Sequence, residues 1–403
     1  MREYLLVFLV AAAATYLLTV IAREIALRTG AVAKVRDRDV HAVPIPYLGG
    51  LAMLGGLVTA YVVARELPFL STSQPFVFRD AGIVLIAGAL ICAVGVLDDL
   101  FEIDALTKLG GQVLAAGFLI AFGIQFFFFP GPDNVQYTID SAQGALLTGF
   151  VVVATVNAVN FVDGLDGLAA GVVGLGAAAF FVYCYQLSSF NNVTLATTGA
   201  LLSASLAGAC AGFLPHNFHH ARLFMGDSGS MLIGLVLSAS TVTLTGQFTP
   251  RQITEGAAGS QASFLPTLLP VLLPVSLLIV PILDLVLAVV RRTRAGRSPF
   301  APDKQHLHHR MLEIGHSHRR AVLIMYLWAA LVAFGTVLIS LYSDEPWMWT
   351  VVSVMAAVTI AATFLLPRLH RPDGPTSAPG PPTGPPTGVD PGSPPGQSVP
   401  EGA

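Results

Sequence analysis

The sequence is short of charge. Of its 403 residues only 11% are Asp, Glu, Lys or Arg, against about 25% in a typical soluble domain. It is short of cysteine too: Cys92, Cys184 and Cys210 have no CxxC spacing, and each lies in an apolar run. That excludes a disulfide framework and a cysteine zinc site, and leaves three small core residues. No GxxxxGK[ST] loop is present, so there is no Walker A phosphate cradle, and no HExxH marks a zinc protease. The net charge of -3 says little, because charge in such a chain matters by location; no nucleic-acid partner is expected. What abounds is apolar: 54% hydrophobic residues and a mean hydropathy of +0.70. The chain reads as an all-α polytopic membrane protein.

About 20 apolar residues span a bilayer as a helix. Eleven such segments are predicted, at roughly 4–26, 48–66, 81–98, 107–124, 144–161, 166–187, 194–214, 229–247, 266–290, 320–342 and 347–367. Phe126–Phe129 either extend the fourth or lie in the interface. The ninth carries Pro266, Pro270, Pro274 and Pro281, so kinks or a break are expected there. The first run, Tyr4–Ile21, resembles a signal peptide but is long enough to span. Only Arg2 precedes it, and basic residues follow from Arg28 to Arg38, so an uncleaved helix starting outside is expected. With the amino terminus outside, all of the 21 Lys and Arg except Arg2, Arg65, Arg79 and Arg251 fall on the inner side. This asymmetry orients the chain with its carboxyl terminus in the cytoplasm. Residues 1–370 form the membrane domain. Residues 371–403, rich in Pro, Gly, Ser and Thr, cannot bury a core and form a disordered cytoplasmic tail.

Polar signatures recur at the inner ends of the spans. The first inner loop runs from Lys34 to Gly50 as KVRDRDVHAVPIPYLGG; Arg38 and His41 stand beside a rigid PIP and a Gly-Gly pair. The third span ends VGVLDDL. Asp98 and Asp99 there oppose the helix dipole and repel each other unless a cation is near. A metal or general-base role would account for that cost; solvated loop acids are the plain alternative. Lys108 opens the fourth span and either reaches back towards phosphates or simply snorkels. The fifth span ends NAVNFVDGLDGL, with Asn157, Asn160, Asp163 and Asp166 at every third position. Such oxygen-rich groups suit a hard cation and sugar or phosphate hydroxyls. For Asn157, interhelical hydrogen bonding is an equal alternative. In LPHNFHHARLFMGDSGS, Asp227 stands between two glycines at the mouth of a helix whose free N–H groups suit phosphate. The last inner loop, RRTRAGRSPFAPDKQHLHHRML, sets His306, His308 and His309 among many cations, which favours anion binding over zinc.

Together these strings resemble the polyprenyl-phosphate N-acetylhexosamine-1-phosphate transferases, the membrane family that includes the MraY translocase and the WecA and TagO enzymes. HAVPIPYLGG, DDL, NAVNFVDGLDG, FMGDSGS and HLHH occur in the family's order over roughly residues 1–320. The HLHH form, preceded by PDKQ, looks like the WecA branch. The resemblance implies transfer of N-acetylglucosamine-1-phosphate from UDP-GlcNAc to a polyprenyl phosphate (undecaprenyl or decaprenyl), releasing UMP and initiating a cell-envelope polymer. The setting it implies is the cytoplasmic face of the bacterial plasma membrane, amid membrane lipid.

By the same resemblance, Asp227 would ligate Mg²⁺ (or Mn²⁺), with Asp98 and Asp163 as further ligands. Asp98 would orient or deprotonate the lipid phosphate, with Asp99 and His306 as catalytic companions. Lys108, Asn160, Asp163, Asp166 and Asn217 would hold phosphate, metal water or nucleotide, and Phe224 would stack on uracil. His308, His309, Arg310, Arg38 and His41 complete the implied substrate contacts, and a homodimer is implied by the resemblance alone. The alternative within the family is the phospho-MurNAc-pentapeptide translocase. A secondary transporter is more distant, because transporters place their acids near the membrane midplane, in broken helices.

Overall fold

The structure is a computed structural model and describes residues 1–32, 44–130, 136–190, 196–245, 318–342 and 345–365. The helices are α1 (Arg2–Thr29), α2 (Gly49–Glu66), the single turn α3 (Pro68–Ser71), α4 (Pro75–Phe101), α5 (Ala105–Ala121), α6 (Ser141–Val162), α7 (Leu168–Phe190), α8 (Ala196–Asn217), α9 (Gly226–Thr245), α10 (His318–Tyr342) and α11 (Pro346–Leu365). Among the described residues, eight of these are long and apolar enough to cross a membrane. The shorter α2 and α5 match two further expected spans, with 18 and 17 residues. Ten of the eleven expected segments thus contain a described helix; the ninth, 266–290, lies outside the described residues, as does the tail 371–403.

Local signals place the helix ends. Asp104 caps α5 by accepting from the backbone N–H groups of Leu106 and Thr107, both at 3.0 Å. Asp140 caps α6 through Ala142 N–H at 3.2 Å. Such caps satisfy donors that the helix itself leaves unpaired. Glu3 of α1 reaches across to α3 and accepts from Phe69 and Leu70 N–H at 2.7 and 2.9 Å. α4 begins at Pro75, six residues before the expected 81. Pro suits the first helical turn, and Arg79 is accommodated by donating to the Phe122 carbonyl at 3.3 Å. The Phe126–Phe129 ambiguity resolves as neither helix nor plain interface: Phe128–Pro130 (β1) pair antiparallel with Gln136–Thr138 (β2), a ribbon too small to alter the all-α class.

α8 and α9 form the almost wholly buried heart of the bundle. α1, α7 and α9 pack on α8, while α2, α4 and α6 also pack on α9. Both inner helices are rich in serine and threonine, and several of the buried hydroxyls donate to a carbonyl one turn back. Examples are Ser203 to Gly199, Ser205 to Leu201, Ser238 to Gly234 and Ser240 to Val236. Small side chains with internally satisfied hydroxyls allow close helix packing where no water is available. The outer helices show the reverse pattern: Leu5, Leu9 and Leu17 of α1 and Trp347 and Trp349 of α11 are exposed. A surface this apolar is solvated by lipid rather than water; the protein is a multi-pass membrane protein.

Candidate active site

Successive antiparallel helices bring the carboxyl ends of α4, α6 and α8 to the same end of the bundle as the amino ends of α5, α7 and α9. The acids that the sequence scatters over 130 positions meet there. The adjacent pair Asp98–Asp99 divides in two. Asp98 faces α5, where Lys108 Nζ lies 3.2 Å from its Oδ2. Asp99 faces α9 and accepts from the backbone N–H groups of Asp227 at 2.8 Å and Ser228 at 3.2 Å. The apparent cost of two acids at a helix carboxyl end thus becomes a gain for the neighbour, because Asp99 caps the positive end of α9.

This cap requires close approach. Gly226 has φ +71°, and a Cβ there would sit 2.7 Å from Asp99 Oδ1. Gly95 of α4 lies against the same turn, where a Cβ would come within 2.6 Å of the Asp227 carbonyl carbon. A Cβ would displace the Asp99 carboxylate at Gly226, where φ is also positive, and the Asp227–Ser228 backbone at Gly95, so glycine suits both positions. From the other side, the PIPYLGG segment runs beside FMG as a short extended pair. Phe224 N–H donates to the Pro46 carbonyl at 2.9 Å, and Gly49 and Gly50 N–H donate to the carbonyls of Phe224 and Met225 at 3.1 Å each. These bonds fix the backbone of Phe224, whose half-buried ring stands 5.9 Å from that of Tyr47.

Asp227 is held from three directions. Its backbone is tied to Asp99, its Oδ1 accepts from Asn160 Nδ2 at 2.8 Å, and its Oδ2 pairs with Lys108. Asn160 also donates to Ser230 Oγ at 2.9 Å. The Asp98 and Asp227 carboxylates therefore converge on one cation, the Lys108 ammonium, and all three side chains stay 17–24% accessible. An oxygen pair that already embraces an ammonium is suited to a hard divalent ion. Asp163 caps the end of α6 beside this group. Burial pushes its carboxyl up to about 7, with Asp99 and Asp166 adding repulsion. A carboxyl so placed ionises more readily when a cation approaches.

The remaining expected residues separate into supports and residues beyond the described chain. Asp166 is buried and accepts from His219 Nδ1 at 3.1 Å and Ala221 N–H at 3.2 Å. Asn217 is buried too: its Oδ1 accepts from Gly167 N–H at 3.0 Å and its Nδ2 donates to the Leu223 carbonyl at 3.1 Å. Both grip the 217–223 loop that delivers Phe224 and Asp227. Asn157 pairs reciprocally with Gln112 of α5, donating at 2.6 Å and accepting at 3.3 Å. Replacing Asn157 with Leu is expected to lower stability by about 0.6–1.7 kcal/mol and to spare turnover, read from thermal unfolding and product release. Arg38, His41, His306, His308, His309 and Arg310 lie outside the described residues.

Several participants carried no strong sequence signal. Ser228 and Ser230 lie within FMGDSGS, but the string assigns neither a role of its own. Arg319 grips the loop by donating from Nε and Nη2 to the His219 carbonyl at 3.2 and 2.9 Å. His219 stacks on His318, with ring centroids 4.4 Å apart. Asp166, His219 and His318 also bring potential metal-ligating atoms within 4.8 Å of one another. Two imidazoles and one carboxylate suit a transition metal better than magnesium, which favours oxygen.

Comparison with known proteins identifies the family. A family model described as glycosyl transferase family 4 matches residues 81–245, which include Asp98, Lys108, Asn160 and Asp227. A decaprenyl-phosphate N-acetylglucosaminephosphotransferase of Mycolicibacterium smegmatis is 46% identical over 379 residues, covering 93% of this chain and 91% of that protein. Its counterpart in Mycobacterium tuberculosis is 47% identical over 378 residues, with 93% and 91% covered. The undecaprenyl-phosphate alpha-N-acetylglucosaminyl 1-phosphate transferase of Escherichia coli K12 is 28% identical over 359 residues, with 87% and 86% covered. Likeness of this degree along nearly the whole chain, with the acids gathered at one end of the bundle, places the protein in the polyprenyl-phosphate N-acetylhexosamine-1-phosphate transferase family, on its WecA-like branch.

Proposed function

We propose that the protein transfers N-acetylglucosamine-1-phosphate from UDP-GlcNAc to a polyprenyl phosphate, giving polyprenyl-diphosphate-GlcNAc and UMP. The observation that carries this reading is the convergence of Asp98 and Asp227 on Lys108 at the capped mouth of α9. Phosphoryl transfer requires positioning and charge neutralisation more than covalent work by the protein. The relatives at 46% and 47% identity act, by name, on decaprenyl phosphate, which makes that lipid the first acceptor to test.

Asp227 and Asp98 would hold Mg²⁺, with Asp163 as a further ligand. When bound, the ion supplies neutralising charge to the donor diphosphate. Lys108, lying between the Asp98 and Asp227 carboxylates, is placed to meet a phosphate oxygen. Asn160 keeps Asp227 aimed, and Asp98 orients or deprotonates the attacking lipid phosphate. Phe224, with its backbone pinned to the PIPYLGG segment, offers a ring for the uracil. Asp166 and Asn217 act through the loop they grip. His306, His308, His309 and Arg310, with Arg38 and His41, would supply further phosphate contacts from the basic loops. The positive-inside asymmetry supports a cytoplasmic site in a bacterial plasma membrane. A homodimer belongs to the same family reading.

Purified protein with Mg²⁺, decaprenyl phosphate and labelled UDP-GlcNAc should yield UMP and a lipid-linked sugar. Exclusive use of UDP-MurNAc-pentapeptide instead would transfer the assignment to the translocase branch. EDTA should stop the reaction, and excess Mg²⁺ should restore it. Full activity in EDTA would remove the divalent ion from the scheme.

A further inference from the structure

The carboxyl end of α1, with His216 and Arg222, bounds a groove of about 570 Å³ that Asp98, Lys108 and Asp227 do not line. Its floor is apolar and open to the bilayer: Val20, Ile21 and Ile25 are 56%, 55% and 43% exposed. Its rim is cationic. Arg23, Arg28 and Arg222 face a lone acid, Glu24, which Arg28 already engages at 2.9 Å. Arg23 donates from Nε to the Arg222 carbonyl at 3.3 Å, so α1 and the loop hold their two guanidinium groups at one rim. Arg222 forms no ion pair among the described residues.

An apolar floor beneath an arginine rim matches one chemistry, a phosphate headgroup with hydrocarbon attached. We propose that this groove binds an anionic phospholipid of the leaflet on the active-site side. Guanidinium groups bind phosphodiester oxygens as forks, and basic pockets between helices at the membrane surface select anionic headgroups. A soluble nucleotide would leave the lipid-facing floor uncovered. In the proposed reaction the lipid acceptor belongs with Asp98 and Lys108, which do not line this groove. Because Arg222 N–H donates to the His216 carbonyl at 2.8 Å, a headgroup clamped here braces the loop that ends in Phe224 and Asp227.

The test is native mass spectrometry of the full chain with added phosphatidylglycerol or phosphatidylcholine. The expected result is retained phosphatidylglycerol, at least tenfold stronger than phosphatidylcholine, and a loss of about that factor in Arg23→Gln/Arg222→Gln. Arg222→Gln alone, an exposed substitution that leaves the α1 contact intact, should lose several-fold with unchanged thermal unfolding in lipid-free detergent. Equal retention of both lipids, or undiminished retention in the variants, overturns the proposal. So does displacement of phosphatidylglycerol by decaprenyl phosphate or by inorganic phosphate, which would make the groove an acceptor site or a bare anion site. Transferase activity is measured separately in each variant, so loss of the lipid site and failure of the functional reading are told apart.

Discussion

Asp227→Asn is expected to lower turnover by about three orders of magnitude while the protein remains folded. Asn is isosteric and keeps one oxygen for the Asn160 amide, which donates to Asp227 Oδ1 at 2.8 Å. What it removes is the negative charge facing Lys108 and, in the proposed reaction, the divalent ion. Loss of one preorganised electrostatic partner in a reaction driven by charge stabilisation typically costs about 10²–10³ in rate, and loss of a metal ligand reaches the upper end. The Asp99 cap on Asp227 N–H involves only backbone, so α9 should start where it does in the native protein. UMP release and elution as a single membrane-protein peak report the two halves of this prediction. Near-native turnover would take Asp227 out of the metal site.

Asp98 and Asp99, adjacent in sequence, are expected to fail in different ways. Asp99→Ala leaves the N–H groups of Asp227 and Ser228 without their acceptor at the mouth of a buried helix. Unsatisfied buried donors cost about 1–3 kcal/mol each, so a stability loss of about 2–6 kcal/mol for the two should show as a clear fall in the unfolding temperature. Activity should decline with it, because the displaced turn carries Asp227. Asp98→Asn loses only its contact with Lys108, which is partly open to solvent. Its unfolding temperature should barely move, while turnover should drop about 100-fold or more. Equal destabilisation by both substitutions would contradict the split between capping and chemistry.

Much of the architecture was legible because a bilayer leaves few choices. Every spanning backbone must bond internally, so apolar runs of about 20 residues become helices. The ends of α1, α6, α8 and α9 fall within a few residues of expectation for that reason. The polar strings and the family resemblance they carry also mark Asp98, Lys108, Asn160 and Asp227. The hairpin at Phe128–Pro130 was not legible, since four phenylalanines satisfy helix, strand and interface alike. Nor was the early start of α4, where Arg79 needed the distant Phe122 carbonyl to be accommodated.

The roles within the polar strings depended on what each residue meets. Asn157 and Asn160 stand three residues apart on one helix, yet one locks α6 to Gln112 and the other aims Asp227. Asp163 and Asp166 share the same spacing, but Asp163 ends α6 beside the acid group while Asp166 accepts from the loop backbone. Hydropathy and the order of motifs by themselves determined a multi-pass helical membrane protein with acids at helix ends, because burial in lipid is read residue by residue. Only the tertiary structure decided that Asp99 caps α9, that Asp98 and Asp227 converge on one cation, and that Asp166 and Asn217 are supports. Those assignments rest on distances between residues up to 129 positions apart, and such distances are set by how the helices pack.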